Sequence, residues 1–226
     1  MRGAVRLLLG GGVLSIALVG LIGLAHLPIA APLLGLWTGG GCPVGLDHPL
    51  APAARDAARA TALEVVRGVG TAGDRPALGF ALDGTSRVEA TAWAATHGVV
   101  CTDARELKQC GPVPATAIPD GPRDSLVFEF DAGDALVSVT AGRRVPAAEA
   151  VAVYVALEAG VAERAGPATL QRGEPTAEWL DRGPLTQLSS EFRFADYRAQ
   201  LTATNLGPGR IAVREVYQAL RPASGG

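Results

Sequence analysis

Residues 187–205 read QLSSEFRFADYRAQLTATN. Leu188, Ser190, Phe192 and Phe194 fall on one side of an extended chain. Gln187, Ser189, Glu191 and Arg193 fall on the other. The alternation resumes with Tyr197, Ala199, Leu201 and Ala203 opposed to Arg198, Gln200, Thr202 and Thr204. A period of two over two successive segments is the mark of half-buried strands. The turn Asn205–Gly209 (NLGPG) leads into a third strand, Arg210 to Ala219. One-sided alternation of this kind predicts an antiparallel sheet with one face on helices and one in water.

Working back from that sheet, Pro146 opens a helix that runs to about Ala165, with Ala150, Tyr154, Leu157 and Val161 as its apolar stripe. Gly166-Pro167 ends it. A helical turn is expected around Thr176 to Leu180. Before that helix, Leu126, Phe128 and Phe130 alternate with Val127, Glu129 and Asp131, Asp131–Asp134 turns the chain, and Ala135 to Ala141 returns as a hairpin. Gly111 to Arg123 carries four prolines and reads as a loop. Val99–Cys101 and Glu106–Cys110 read as two short strands. Ser86-Arg87-Val88-Glu89 fits a capping box for a helix that ends at Gly98, with Val88, Ala92 and Ala95 as its expected buried stripe. Ala77 to Leu82 is expected to be extended. Pro52 to about Arg67 reads as a helix with Arg55, Asp56, Arg59 and Glu64 on a solvated face.

The fold class is therefore α+β, a two-layer arrangement of helices and antiparallel sheet. Two organisations fit: two tandem α-β units, 52–145 and 146–221, or one continuous sheet. A short tail, 222–226, follows.

The N-terminal 51 residues have a different character. Residues 7–25 form an apolar run of nineteen residues without a charge, close to what a membrane-spanning helix needs. Arg2 and Arg6, in the short segment 1–6, precede it. The positive-inside rule then places the bulk of the chain on the outer, periplasmic face of a bacterial inner membrane as a single-pass protein. An uncleaved anchor, a cleaved signal and a lipidated N-terminus all remain open; the length of the run favours the anchor. Residues 26–51 form a connector rich in proline and glycine, with Trp37 either at the headgroup level or on the outer domain.

Composition narrows the role. At 48% hydrophobic and 19% charged, the chain is too apolar to be disordered throughout. A net charge of −2 argues against nucleic-acid binding. No G-x-S-x-G, H-E-x-x-H or P-loop is present, no catalytic residue is assigned, and no cofactor is expected. Ser189-Ser190 has no evident base beside it in the sequence. Cys101 and Cys110 flank a short turn and are expected to form a disulfide across neighbouring strands in an oxidising compartment. Cys42 is the odd thiol. Cys42, His48, His97, Cys101 and Cys110 supply nitrogen and sulfur ligands for a metal-binding sensor or hydrolase, but without a zinc-type spacing. The outer face of the C-terminal sheet, with Arg193, Arg198, Gln200, Thr202 and Arg214, is the candidate surface for a protein or envelope-component partner. A solubilising face is the competing reading of the same residues.

Gly84-Thr85-Ser86 before a helix, Phe128-Glu129-Phe130-Asp131-Ala132-Gly133 in a hairpin, and Gly166-Pro167 after a helix carry a resemblance. Residues 76–220 are similar to small envelope modules of the SmpA/OmlA (BamE-like) type and to the related β-lactamase-inhibitor-like fold. The His97-Gly98-Val99 ending lacks the proline of that pattern. The resemblance implies a non-catalytic interaction module of the cell envelope.

Overall fold

A computed structural model describes residues 50–207 and 209–221. The expected membrane segment, most of the connector and Cys42 lie outside the described residues. Among those described, no helix is long and apolar enough to cross a membrane.

The chain is α+β. Helix α1 (Pro52–Glu64) and helix α2 (Arg87–Thr96) precede strands β1 (Cys101–Ala104), β2 (Leu107–Cys110), β3 (Ser125–Phe130) and β4 (Leu136–Pro146). Helix α3 (Ala147–Ala165) precedes β5 (Leu170–Arg172), the single turn α4 (Ala177–Leu180), β6 (Gln187–Arg193), β7 (Tyr197–Asn205) and β8 (Arg210–Ala219). All eight strands join one antiparallel sheet in the order β1-β2-β3-β4-β8-β7-β6-β5. Each half of the chain is a four-strand meander, and the last strands of the two meanders pair with each other. Along that seam Pro146 stands opposite Arg210 and Ser138 opposite Gln218.

The pleat sorts side chains onto two faces. On the covered face Leu126, Phe128, Val139, Ala141, Ile211, Val213, Ala199, Leu201, Phe192 and Leu188 are buried. Helix α3 rests there on Ala150, Tyr154, Leu157 and Val161, the stripe expected from its sequence. Helix α2 is started by the expected capping box, with Ser86 and Glu89 satisfying each other's backbone N–H groups. Its buried residues are Ala90 and Ala94, not Val88, Ala92 and Ala95, and Val88 is exposed. The contact face is set by Trp93, whose ring lies 4.9 Å from Phe80 and 5.9 Å from Phe128. Small alanines beside that ring let the helix approach the sheet.

Two further expectations are corrected. Residues 77–82 form turns rather than an extended segment, with Leu78 and Asp83 at positive φ, and Ala77, Leu78 and Leu82 plug the core. Helix α1 has its Arg55, Asp56 and Arg59 half-buried and partnered rather than solvated, while Glu64 stays exposed as expected. Arg55 pairs with Glu106 at 3.0 Å, Arg59 donates to the Val137 carbonyl at 2.8 Å, and the Asp56 carboxylate accepts from the Ala132 amide at 2.8 Å. Strand ends and turns leave carbonyl and amide groups without ladder partners, and an arginine fork reaches them from a helix laid across the end of the sheet. The chain after α1 crosses close to the β6–β7 corner at Gly68. A Cβ there would stand 2.0 Å from the Arg193 carbonyl oxygen.

Candidate functional site: the open face of the sheet

The side chains opposite the covered face form a polar floor. Register places Arg193 directly across from Arg198, Glu191 across from Gln200, and Thr202 across from Arg214. Arg193, Arg198, Gln200, Thr202 and Arg214 therefore share one face, on three neighbouring strands. They are not equally free. Arg193 Nε donates to Glu191 at 2.7 Å, and Arg198 donates to Gln218 at 2.9 Å and to Gln200 at 3.1 Å. The Arg198 side chain is only 15% exposed. Burial pulls its pKa below the usual guanidinium value, against the opposing pull of Glu191. Its Nε has no partner among the described residues. Arg214 stands exposed in the middle of β8.

The floor carries two shallow, open depressions. A cleft of about 450 Å³ lies over β4 and β8, lined in part by Ser125, Thr140, Gly142, Arg144, Leu206 and Arg214. A second, of about 420 Å³, continues over β2 and β3 past Thr102, Gln109 and Val127. The two share Asp124 and Ser125, so they form one trough. The sequence alternation in β8 brought out one wall of it, at Arg214; Arg193, Arg198, Gln200 and Thr202 share the face but lie outside its lining. The other wall, with Arg144 on β4, was missed because β4 runs five residues past the expected end at Ala141, to Pro146.

Two buried polar clusters compete as sites. Ser190 Oγ donates to Glu158 at 2.9 Å and lies 2.6 Å from the Tyr154 hydroxyl. Burial pushes the Tyr154 phenol up to about 12, so it stays neutral at pH 7. No histidine joins these groups, and the adjoining cavity is about 80 Å³. Each group satisfies its neighbour, which fixes α3 on the sheet. The second cluster is the ion pair of Arg123 with Glu215 at 2.7 Å, both side chains fully buried. Glu215 also accepts from the Tyr217 hydroxyl at 2.8 Å, and Arg123 Nη1 reaches the Gly121 carbonyl at 2.7 Å. This pair ties the proline-rich loop to the covered face at mid-sheet.

Cys101 and Cys110 stand directly opposite each other and are joined in a disulfide. Neither offers a thiolate to a metal. His97 caps α2, its Nδ1 2.8 Å from the Trp93 carbonyl. Among the described residues no group of three or more His, Cys, Asp or Glu side chains is placed to hold a metal ion. No protein-family model, curated protein or solved structure matches the chain.

Proposed function

We propose that this chain is a non-catalytic binding module, held at a bacterial inner membrane by residues 7–25, with its α+β region on the periplasmic side. The open trough of the sheet docks another protein or an envelope component. The observation that carries this reading is the asymmetry of the sheet: helices and the proline-rich loop seal one face, and a half-buried lattice of Arg, Gln and Thr lines the other. Arginine on a partly desolvated surface is the residue type that interfaces favour. The Cys101–Cys110 disulfide supports an oxidising compartment. A helix stands before the strands in each half, the order expected of SmpA/OmlA-type modules, and we extend the proposal to kinship with them.

The test is a photo-crosslinking side chain at Thr202 in the full-length chain in cells. A discrete adduct is expected from Thr202, and none from Val155 on the exposed side of α3. Failure at Thr202, Gln200 and Arg214 alike, with the disulfide intact, counts against the reading.

A further inference from the structure

The open face is much more basic than the chain that carries it. By register, Arg144, Arg172, Arg193, Arg198, Arg210 and Arg214 occupy open-face positions, against the carboxylates Glu129 and Glu191. The whole chain has a net charge of −2. Glu129 is engaged by Arg59 from α1 at 3.7 Å, and Glu191 by Arg193 and Arg198. Among the described residues, no carboxylate lies within ion-pair distance of Arg144, Arg210 or Arg214. Asp124 shares the trough, but one of its carboxylate oxygens accepts from the Arg144 amide at 2.8 Å. Arg144 and Arg214 line the same cleft, and Leu206, half exposed, stands at its side.

We infer that the trough over β4 and β8 receives an acidic segment of a partner protein, its carboxylates meeting Arg144 and Arg214 and an apolar side chain meeting Leu206. This rests on the docking reading above and names the chemistry of the partner. Guanidinium forks match carboxylates bidentately, and arginines without an ion-pair partner are free to make such a pair. A peptide segment can present carboxylates and an apolar side chain together along one short path, which matches Arg144, Leu206 and Arg214. Thr140 and Ser125 supply hydroxyls along the same path.

The probe is a fluorescein-labelled Glu/Asp-rich peptide with interspersed leucines, titrated into the full-length chain at low and raised salt. Its Gln/Asn isostere and phosphatidylglycerol vesicles serve as comparisons. The acidic peptide is expected to bind, the isostere is not, and R144Q/R214Q is expected to weaken binding about tenfold, with a shallower salt dependence. Both arginines are exposed, and an unchanged melting temperature and intact disulfide confirm that the variant folds. E163Q, on α3, is expected to bind like wild type. The inference falls if the peptide does not bind, or binds equally to R144Q/R214Q. It also falls if only vesicle binding depends on these arginines. A Thr202 adduct that persists after such a failure leaves the docking reading standing and removes its acidic partner; loss of both removes both.

Discussion

The two faces of the sheet are made by the same strands and obey opposite rules. In β7, Tyr197, Ala199, Leu201 and Ala203 are buried, and their neighbours Arg198, Gln200, Thr202 and Thr204 lie half-buried on the open face. The covered face holds its one buried carboxylate by close partners, although Arg123 Nη2 and Arg143 Nε have none among the described residues. Glu215 is there, and it is met by Arg123 and Tyr217. The open face keeps polarity in surplus, with Arg144 and Arg214 lacking any acidic partner among the described residues. The first face records what the fold requires; the second records what the fold leaves available for binding.

That contrast can be broken first on the covered face. Glu215→Ala leaves Arg123 buried and unpaired, and is expected to cost about 3–5 kcal/mol, read by urea denaturation. A cost below about 1 kcal/mol would mean that water reaches the pair. Phe128→Ala, which removes the ring shared with Phe80 and Trp93, belongs in the same range of about 3–5 kcal/mol. At the sheet edge, replacing Cys101 and Cys110 by serine releases a short loop and is expected to cost at most about 3 kcal/mol. Reduction of the wild type should shift its denaturation midpoint by a matching amount. Ser86→Ala, which opens the capping box of α2, is expected to cost about 1 kcal/mol.

The turn beneath α1 adds a pH dependence. Burial works against the Asp131 carboxylate, but the Ala135 and Gly133 amides and the Arg221 guanidinium outweigh it and hold its pKa below the usual range. A depressed folded pKa gives stability that is present above the unfolded value, about 4, and is lost as pH falls through the folded one. Asp131→Asn should therefore flatten the acid limb of the stability–pH curve and leave the limb above pH 7 unchanged. The smallest effect is expected on the open face. Arg214→Gln should move stability by less than about 0.5 kcal/mol while changing partner binding. A large loss of stability there would show that the open face serves the fold after all.

Much of this architecture was legible in the sequence because it rests on local rules. The period of two in β6–β8, the apolar stripe of α3, the Ser86–Glu89 box and the Cys101–Cys110 pairing are each decided within a few residues. What escaped is tertiary. β5 has three residues, too few for alternation to register, and it is a strand only because β6 offers an edge. Helix α2 turns Ala90 and Ala94 inward because Trp93 finds Phe80 and Phe128. Helix α1 looked solvated because its charges meet partners from Glu106 to Ala219, far along the chain. The choice between one sheet and two units turned on a pairing of β4 with β8 that neither strand's own pattern can announce. The open-face arginines on β6–β8 were visible as a set; their relation to Arg144 was not, because β4 belongs to the other half.

The β4–β8 seam also sets an order of events. Each meander ends on the strand that the other needs, and β8 is the last of the described strands. While the chain is being made, the first half holds out a long unpaired edge, Leu136–Pro146, until Ala219 has emerged. Such an edge is an invitation to foreign strands. The protein is therefore most exposed to mispairing before synthesis is complete, and a holdase that shields an edge strand would matter more to it than one that covers a helix. Losing the final strand would open both halves at once.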